Sequence, residues 1–244
     1  VEEAMTEVIL IIWLFLLGLV FGSFFNVVIY RLPRGGSLVK PGSHCTHCGH
    51  RLRAGELIPV LSYLWQRGAC KACRGKIHWR YPAVELLTGV GFGLIGWTSP
   101  LWSELVVGLI LFSLLVILAF IDLEHGVLPN KLTVPGVGVG LFVALIGWSI
   151  PFKESAGGAI VGFVIITLIV LISRGGMGMG DAKLLALIGA FLGWIAVLYV
   201  LFWASVLGSI GGILYLYVTK QGRNTRIPFG PSLAAAAVGY LLIL

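Results

Sequence analysis

LLALIGAFLGWIAVLYVLFWASVLGSIGGILYLYVT, residues 184–219, runs for 36 positions without a charged side chain. As one helix it would extend roughly 54 Å at about 1.5 Å per residue, far beyond a hydrocarbon core of about 30 Å. The stretch therefore reads as two membrane helices, with Gly189 and Gly193 marking the region of the bend and leaving a short first arm. Lys183 and Lys220 flank it. Cations on both flanks require an even number of crossings, because basic loops stay on one side of the membrane.

Similar uncharged runs lie on either side of it, at 8–30, 105–121, 132–152, 155–173 and 227–244, and 82–97 adds another interrupted only by Glu85. The sum is an all-α polytopic membrane protein of about eight transmembrane helices. Composition agrees. Of the 244 residues 58% are hydrophobic and only 11% charged, with mean hydropathy +1.01, whereas a soluble domain has about a quarter charged. The chain separates into a first helix (1–30), a polar loop (31–80) and a membrane region with seven helices (81–244). Glu2, Glu3 and Glu7 precede the first run with no Lys or Arg, the wrong flank for a cleaved signal, so that run is expected to be a permanent helix.

The loop holds ten of the seventeen Lys and Arg, between Arg31 and Arg80, and one acid, Glu56. With eight helices and the N-terminus outside, sixteen of the seventeen cations face the cytoplasm and only Lys153 lies outside. The net charge of +7 is thereby explained by topology and contact with anionic lipid. No nucleic-acid motif accompanies it, and no nucleic-acid partner is expected.

Many of the 34 glycines sit inside apolar runs, as in Gly89-x-x-x-Gly93 and Gly208-x-x-Gly211-Gly212, where small residues let helices approach closely. Gly91-x-Gly93-x-x-Gly96 matches the dinucleotide fingerprint, but it lies in a membrane span and follows no strand, so packing is its expected role.

Chemistry concentrates in two aspartates, the only ones in the chain. Asp122 ends the uncharged run 105–121, and Asp181 follows the stretch Gly175-Gly176-Met177-Gly178-Met179-Gly180. A charged Asp in a membrane helix costs about 2.5–3.5 kcal/mol on insertion scales, so such residues are rare and usually functional. Two carboxylates at one depth can share a proton, one acting as base on a water and the other as acid toward a carbonyl. Two other readings fit the same residues: Asp181 as a helix N-cap, and the pair as an ion or proton site of a transporter with broken, Gly-rich helices.

The neighbours of the aspartates discriminate. Gly178-Met179-Gly180-Asp181-Ala182-Lys183-Leu184 resembles the Gly-x-Gly-Asp signature of intramembrane aspartic peptidases. Ile121-Asp122 with Pro129-Asn130-Lys131-Leu132-Thr133 resembles the first-aspartate motif of type IV prepilin peptidases, as do residues 22–33 (GSFFNVVIYRLP) and 80–89 (RYPAVELLTG). The four motifs stand in family order over most of the chain. The resemblance implies a bifunctional enzyme of the bacterial cell membrane, with Asp122 and Asp181 as its catalytic pair. Such an enzyme removes the basic leader of prepilin-like proteins after a glycine, at the cytoplasmic face. It then N-methylates the new terminus with S-adenosylmethionine, in type IV pilus, type II secretion or competence systems. Asn130 departs from the pattern, since many members carry an acid there; a noncatalytic membrane subunit is the remaining alternative.

All four cysteines lie in the basic loop, as Cys45-x-x-Cys48 and Cys70-x-x-Cys73, with 21 residues between the pairs. This is zinc-knuckle spacing, slightly long. A reducing cytoplasmic face disfavours disulfides, and four thiolates close the coordination sphere, so the expected metal is structural. His44, His47 and His50 flank the first pair as substitute ligands, and a redox role for the pairs is a further alternative. In the family the loop accompanies methylation. No S-adenosylmethionine motif is recognisable, and Glu85 is a candidate contributor or equally a helix-start carboxylate facing the N-terminal dipole.

Overall fold

A computed structural model describes residues 2–99, 101–173, 178–219 and 228–243. Gly175, Gly176 and Met177 of the glycine-rich stretch, and Arg174 and the cations of 220–226 used in the charge count, lie outside the described residues. The expected all-α architecture is the one observed. Helices α1 (Glu2–Arg31), α2 (Leu61–Trp65), α3 (Arg80–Thr98), α4 (Trp102–His125), α5 (Asn130–Leu145), α6 (Phe152–Ile172), α7 (Met179–Thr219) and α8 (Gly230–Ile243) follow in order. Among the described residues there is no β-strand, only two isolated β-bridges.

Among the described residues four helical segments are long and apolar enough to cross a membrane: Met5–Arg31, Trp102–His125, Phe152–Ile172 and Met179–Val218. The last is two helices run together. Gly193, at φ 85° and ψ 174°, interrupts it in a region of backbone space that is essentially glycine's alone. With the two arms of α7 counted separately and the short loop helix α2 left aside, the described residues hold eight α-helical segments.

The described chain forms two compact units, 1–100 and 101–244. In the first, α1 and α3 pack antiparallel through their small residues. A Cβ on Gly22 would stand 2.6 Å from the Glu85 Cα, and one on Gly18 2.6 Å from the Thr88 carbonyl oxygen. Gly89 and Gly96 face Leu19 and Leu14 in the same way. Thus Gly89 and Gly96, each in a motif singled out in the sequence, serve close approach.

The second unit is built around the first arm of α7. Leu184, Leu185, Leu187 and Ile188 are fully buried, on all sides of the helix, as expected of a segment ringed by others. Gly158 and Gly162 of α6 meet the backbone of Gly189 and Leu185, while Gly136 and Gly140 of α5 meet Leu187, Ala190 and Phe191. The hydroxyl of buried Ser155 donates to the Ala190 carbonyl at 2.6 Å, three residues before the break. Interrupted membrane helices need such internal partners, since lipid offers none.

Candidate active site and metal centre

Asp122 lies in the last turn of α4, which ends where Gly126 turns left-handed (φ 62°) and its N–H donates to the Asp122 carbonyl at 2.8 Å. Asp181 lies in the first turn of α7. Both are buried, at 6% and 8% exposure, and Asp181 lies close enough to Asp122 to feel its charge. The fold thus brings together two residues 59 positions apart in sequence, within one unit.

Each carboxylate is held by one backbone amide. The Gly178 N–H donates to Asp181 Oδ2 at 3.3 Å. Gly178 is the residue just before the helix, so Asp181 occupies the third helical position of half a capping box and is not itself the N-cap. The Gly230 N–H donates to Asp122 Oδ2 at 2.9 Å. Gly230 opens α8, whose first amides have no intrahelical acceptor, and Asp122 caps that helix from another one. Among the described residues these are the carboxylates' only hydrogen bonds. Each Asp therefore has one oxygen held by an amide, while its Oδ1 has no hydrogen bond among the described residues.

Gly230 is a site residue that sequence reasoning did not single out. A Cβ there would lie 2.6 Å from Asp122 Oδ2, so only glycine lets the α8 backbone reach the carboxylate. The available signal was weak: Pro228-Phe229-Gly230-Pro231 punctuates the start of an apolar run, but nothing local points to a partner 108 residues away. A further contact braces the two motif-bearing segments. Lys183 Nζ, one turn into α7, donates to Asn130 Oδ1 at the start of α5 at 2.7 Å.

In the first unit the four cysteines converge. Their Sγ atoms all lie within 4.8 Å of one another, with Cys45 and Cys73 3.9 Å apart. The two halves are built alike. In one, the Cys45 N–H donates to His50 and Gly49 N–H to Cys45; in the other, Cys70 N–H donates to Gly75 and Arg74 N–H to Cys70, all at 2.8 to 2.9 Å. Gly49 and Arg74 take the same left-handed turn, at φ 73° and 59°. The amide of Cys48 draws the Cys45 thiol down to about 7 and the amide of Cys73 lowers Cys70, whereas Cys48 is pushed up to about 11, the His50 amide being outweighed by hydrogen bonds with the other thiols and by burial.

His44 and His50 are engaged elsewhere. His44 Nδ1 lies 2.9 Å from the Gly42 carbonyl and His50 Nε2 3.3 Å from Glu56 Oε2. His47 packs by Gly75, and the converging ligand atoms are the four thiols.

Glu85 is buried in α3. Its Oε2 accepts the Val60 N–H at 2.7 Å and its side chain is also hydrogen-bonded to Ser23. The carboxylate thus has hydrogen-bond partners within its own unit.

Comparison with known proteins follows the same division. Residues 16–99 match the model of the bacterial peptidase A24 N-terminal domain, and residues 109–213 match the type IV leader peptidase family. Among curated proteins, the prepilin leader peptidase/N-methyltransferase of Myxococcus xanthus is 45% identical over 88% of this chain, which spans 66% of that protein's length. The proteins of that name from Pseudomonas putida and Neisseria gonorrhoeae are 38% and 37% identical over 93% and 90% of the chain, covering 88% and 86% of theirs. No solved structure matches. Asp122 and Asp181 fall in the second matched segment, the cysteines and Glu85 in the first.

Proposed function

Because the chain belongs to the type IV leader peptidase family, we propose that Asp122 and Asp181 are the catalytic pair of a membrane aspartic endopeptidase that removes the leader of prepilin-like proteins. The observation that carries this is the pair itself. The only two aspartates of the chain are buried together, each held through one oxygen by a helix-terminal amide. One carboxylate, ionised, takes a proton from water as that water attacks the scissile carbonyl; the other, protonated, gives its proton to the carbonyl oxygen. The proton belongs to the pair and not to one residue. The two amides fix the carboxylates' orientation without using the oxygens that face the reaction.

The substrate is a basic leader cut after a glycine at the cytoplasmic face, with the N-terminus of the enzyme outside and the cysteine loop inside. The second activity is transfer of a methyl group to the new N-terminal amine. S-adenosylmethionine would supply that methyl group, with the buried Glu85 carboxylate as the candidate residue toward it.

Cys45, Cys48, Cys70 and Cys73 would hold zinc in a structural role. Zn–S bonds of about 2.3 Å in a tetrahedron place sulfurs about 3.8 Å apart, close to the 3.9 Å of Cys45 and Cys73. Four thiolates leave no open position for chemistry. Their function is to order a loop that lacks an apolar core of its own.

The test is incubation of the purified protein with a prepilin-type substrate and S-adenosylmethionine, reading product mass. Leader loss with an added methyl group is expected. Asp122→Asn and Asp181→Asn should each insert normally and slow cleavage about 10²–10⁴-fold, the usual contribution of a positioned acid or base. Either variant cleaving at the parental rate would overturn the assignment.

A further inference from the structure

The loop between α1 and α3 carries an apolar face that the catalytic reading does not use. Leu57, Ile58, Leu61, Leu64 and Trp65 are all exposed, Leu64 at 61% and Trp65 at 69%. They belong to a turn and to the short helix α2, in the middle of a loop that is otherwise polar and basic.

The depth of this face can be read from α3. Trp79 and Trp97, both exposed, bracket that helix. They stand eighteen positions apart, about 27 Å of helix, close to the thickness of the hydrocarbon core. Tryptophans at such a spacing mark the two membrane–water interfaces. Glu85 lies six residues inside Trp79, about 9 Å deeper along the axis. The Val60 amide is 2.7 Å from the Glu85 carboxylate. Even with the Glu85 side chain reaching back its full length, Val60 sits no higher than the Trp79 belt, and the chain leading to and from it sits at the membrane surface or below.

The backbone of this segment is built for such a place. A chain entering lipid must satisfy its polar groups internally. The N–H groups of Leu57, Leu61, Ser62, Leu64, Gln66 and Arg67 donate to carbonyls between Ala54 and Leu64, and the Val60 N–H is taken by Glu85. The arrangement carries strain. Val60 has φ 60° and ψ −51°, and the Leu61 N–H closes a three-residue turn onto Pro59 at 2.6 Å. A β-branched residue in this region is an outlier, sustained by a buried carboxylate that accepts its amide.

We propose that residues 57–65 form a re-entrant wedge in the phospholipid interface, Glu85 being the internal acceptor that lets the turn at Val60 sit there. The wedge holds the metal-binding loop flat on the membrane. Its occupant is lipid: the apolar side chains meet acyl chains, while Arg53, Arg67 and Lys71 beside them suit anionic headgroups. The proposal rests on α1 and α3 spanning the membrane and not on the assignment of the catalytic pair.

The experiment places a diazirine-bearing amino acid at Leu64, and separately at Val39, in the full metal-loaded protein reconstituted into bilayers of phosphatidylethanolamine and phosphatidylglycerol. Val39 is the control because it is an apolar residue of the same loop, 81% exposed, whose amide donates to Ser37 and not to a carboxylate inside a membrane helix. After photolysis, adducts are identified by mass. Lipid adducts several-fold more abundant at position 64 than at 39 are expected. Equal yields at the two positions, or crosslinks from 64 running to residues 101–243 or to an added prepilin in place of lipid, would overturn the proposal. Glu85→Gln keeps an oxygen to accept the Val60 amide and should preserve the lipid adducts, whereas Glu85→Ala should reduce them several-fold. Loss with Gln as severe as with Ala would show that Glu85 is not acting as that acceptor.

Discussion

Asp122 does two things at once. It is a carboxylate of the buried pair, and it caps α8 from outside through the Gly230 amide. That double role makes Gly230 a positioning residue for the proposed chemistry. In Gly230→Ala the new methyl would come within 2.6 Å of Asp122 Oδ2, so the carboxylate or the helix start must move. Misplacement of a reacting group on this scale costs about 10²-fold in rate. The variant is expected to insert and retain metal while losing cleavage to that extent, checked by initial rates beside metal content. Unchanged rates would show that the amide does not position the carboxylate. Asp181 is held differently, through an amide only three residues before it in sequence, and this contact was partly legible. The Gly-x-Gly-Asp string already suggested a carboxylate at a helix start, although the N-cap reading misplaced it by three positions.

Two elements show how backbone geometry decides residue choice. Gly193 separates the arms of α7 at φ 85° and ψ 174°, and Gly193→Ala should destabilise the protein by about 1–3 kcal/mol, the cost of holding a side chain in such a region. The measurement is the unfolding midpoint in detergent. No change would mean the break can re-form elsewhere along α7. The paired knuckles make the opposite case. Gly49 fills the left-handed position of the first and Arg74 that of the second. Arg74→Gly removes a side-chain penalty of about 1–2 kcal/mol, offset in part by glycine's entropy of about 0.5–1 kcal/mol. Metal retention against a chelator should therefore be equal or stronger in Arg74→Gly, and weaker in Gly49→Val. The reverse order would contradict the equivalence of the two halves.

At the scale of the molecule, the division into 1–100 and 101–244 runs close to the division between the two matched family models. The cysteine cluster belongs to the first unit and the aspartates to the second. Cys45→Ser with Cys48→Ser is accordingly expected to abolish bound metal, measured by elemental analysis, and to suppress methylation. Leader cleavage should stay within a few-fold of the parent, because both carboxylates and their amide partners lie in the other unit. Cleavage lost in parallel with metal would show that the metal loop supports the peptidase directly.

Hydropathy, charge and spacing alone determined the membrane class, the doubled helix in residues 184–219, the two aspartates and the four thiols as the chemically informative groups. Each of these is written in local composition: uncharged length against bilayer thickness, the rarity of a carboxylate in lipid, and ligand spacing within a short loop. Tertiary structure decided the rest. It set the break at Gly193, brought Gly230 to Asp122, gave the Val60 amide to Glu85 and closed four cysteines into one cluster. Apart from the break, these are contacts between segments far apart in sequence, made by backbone amides that every residue carries or by thiols whose pairing spacing cannot fix. Only the packing of the helices selects which amide meets which carboxylate.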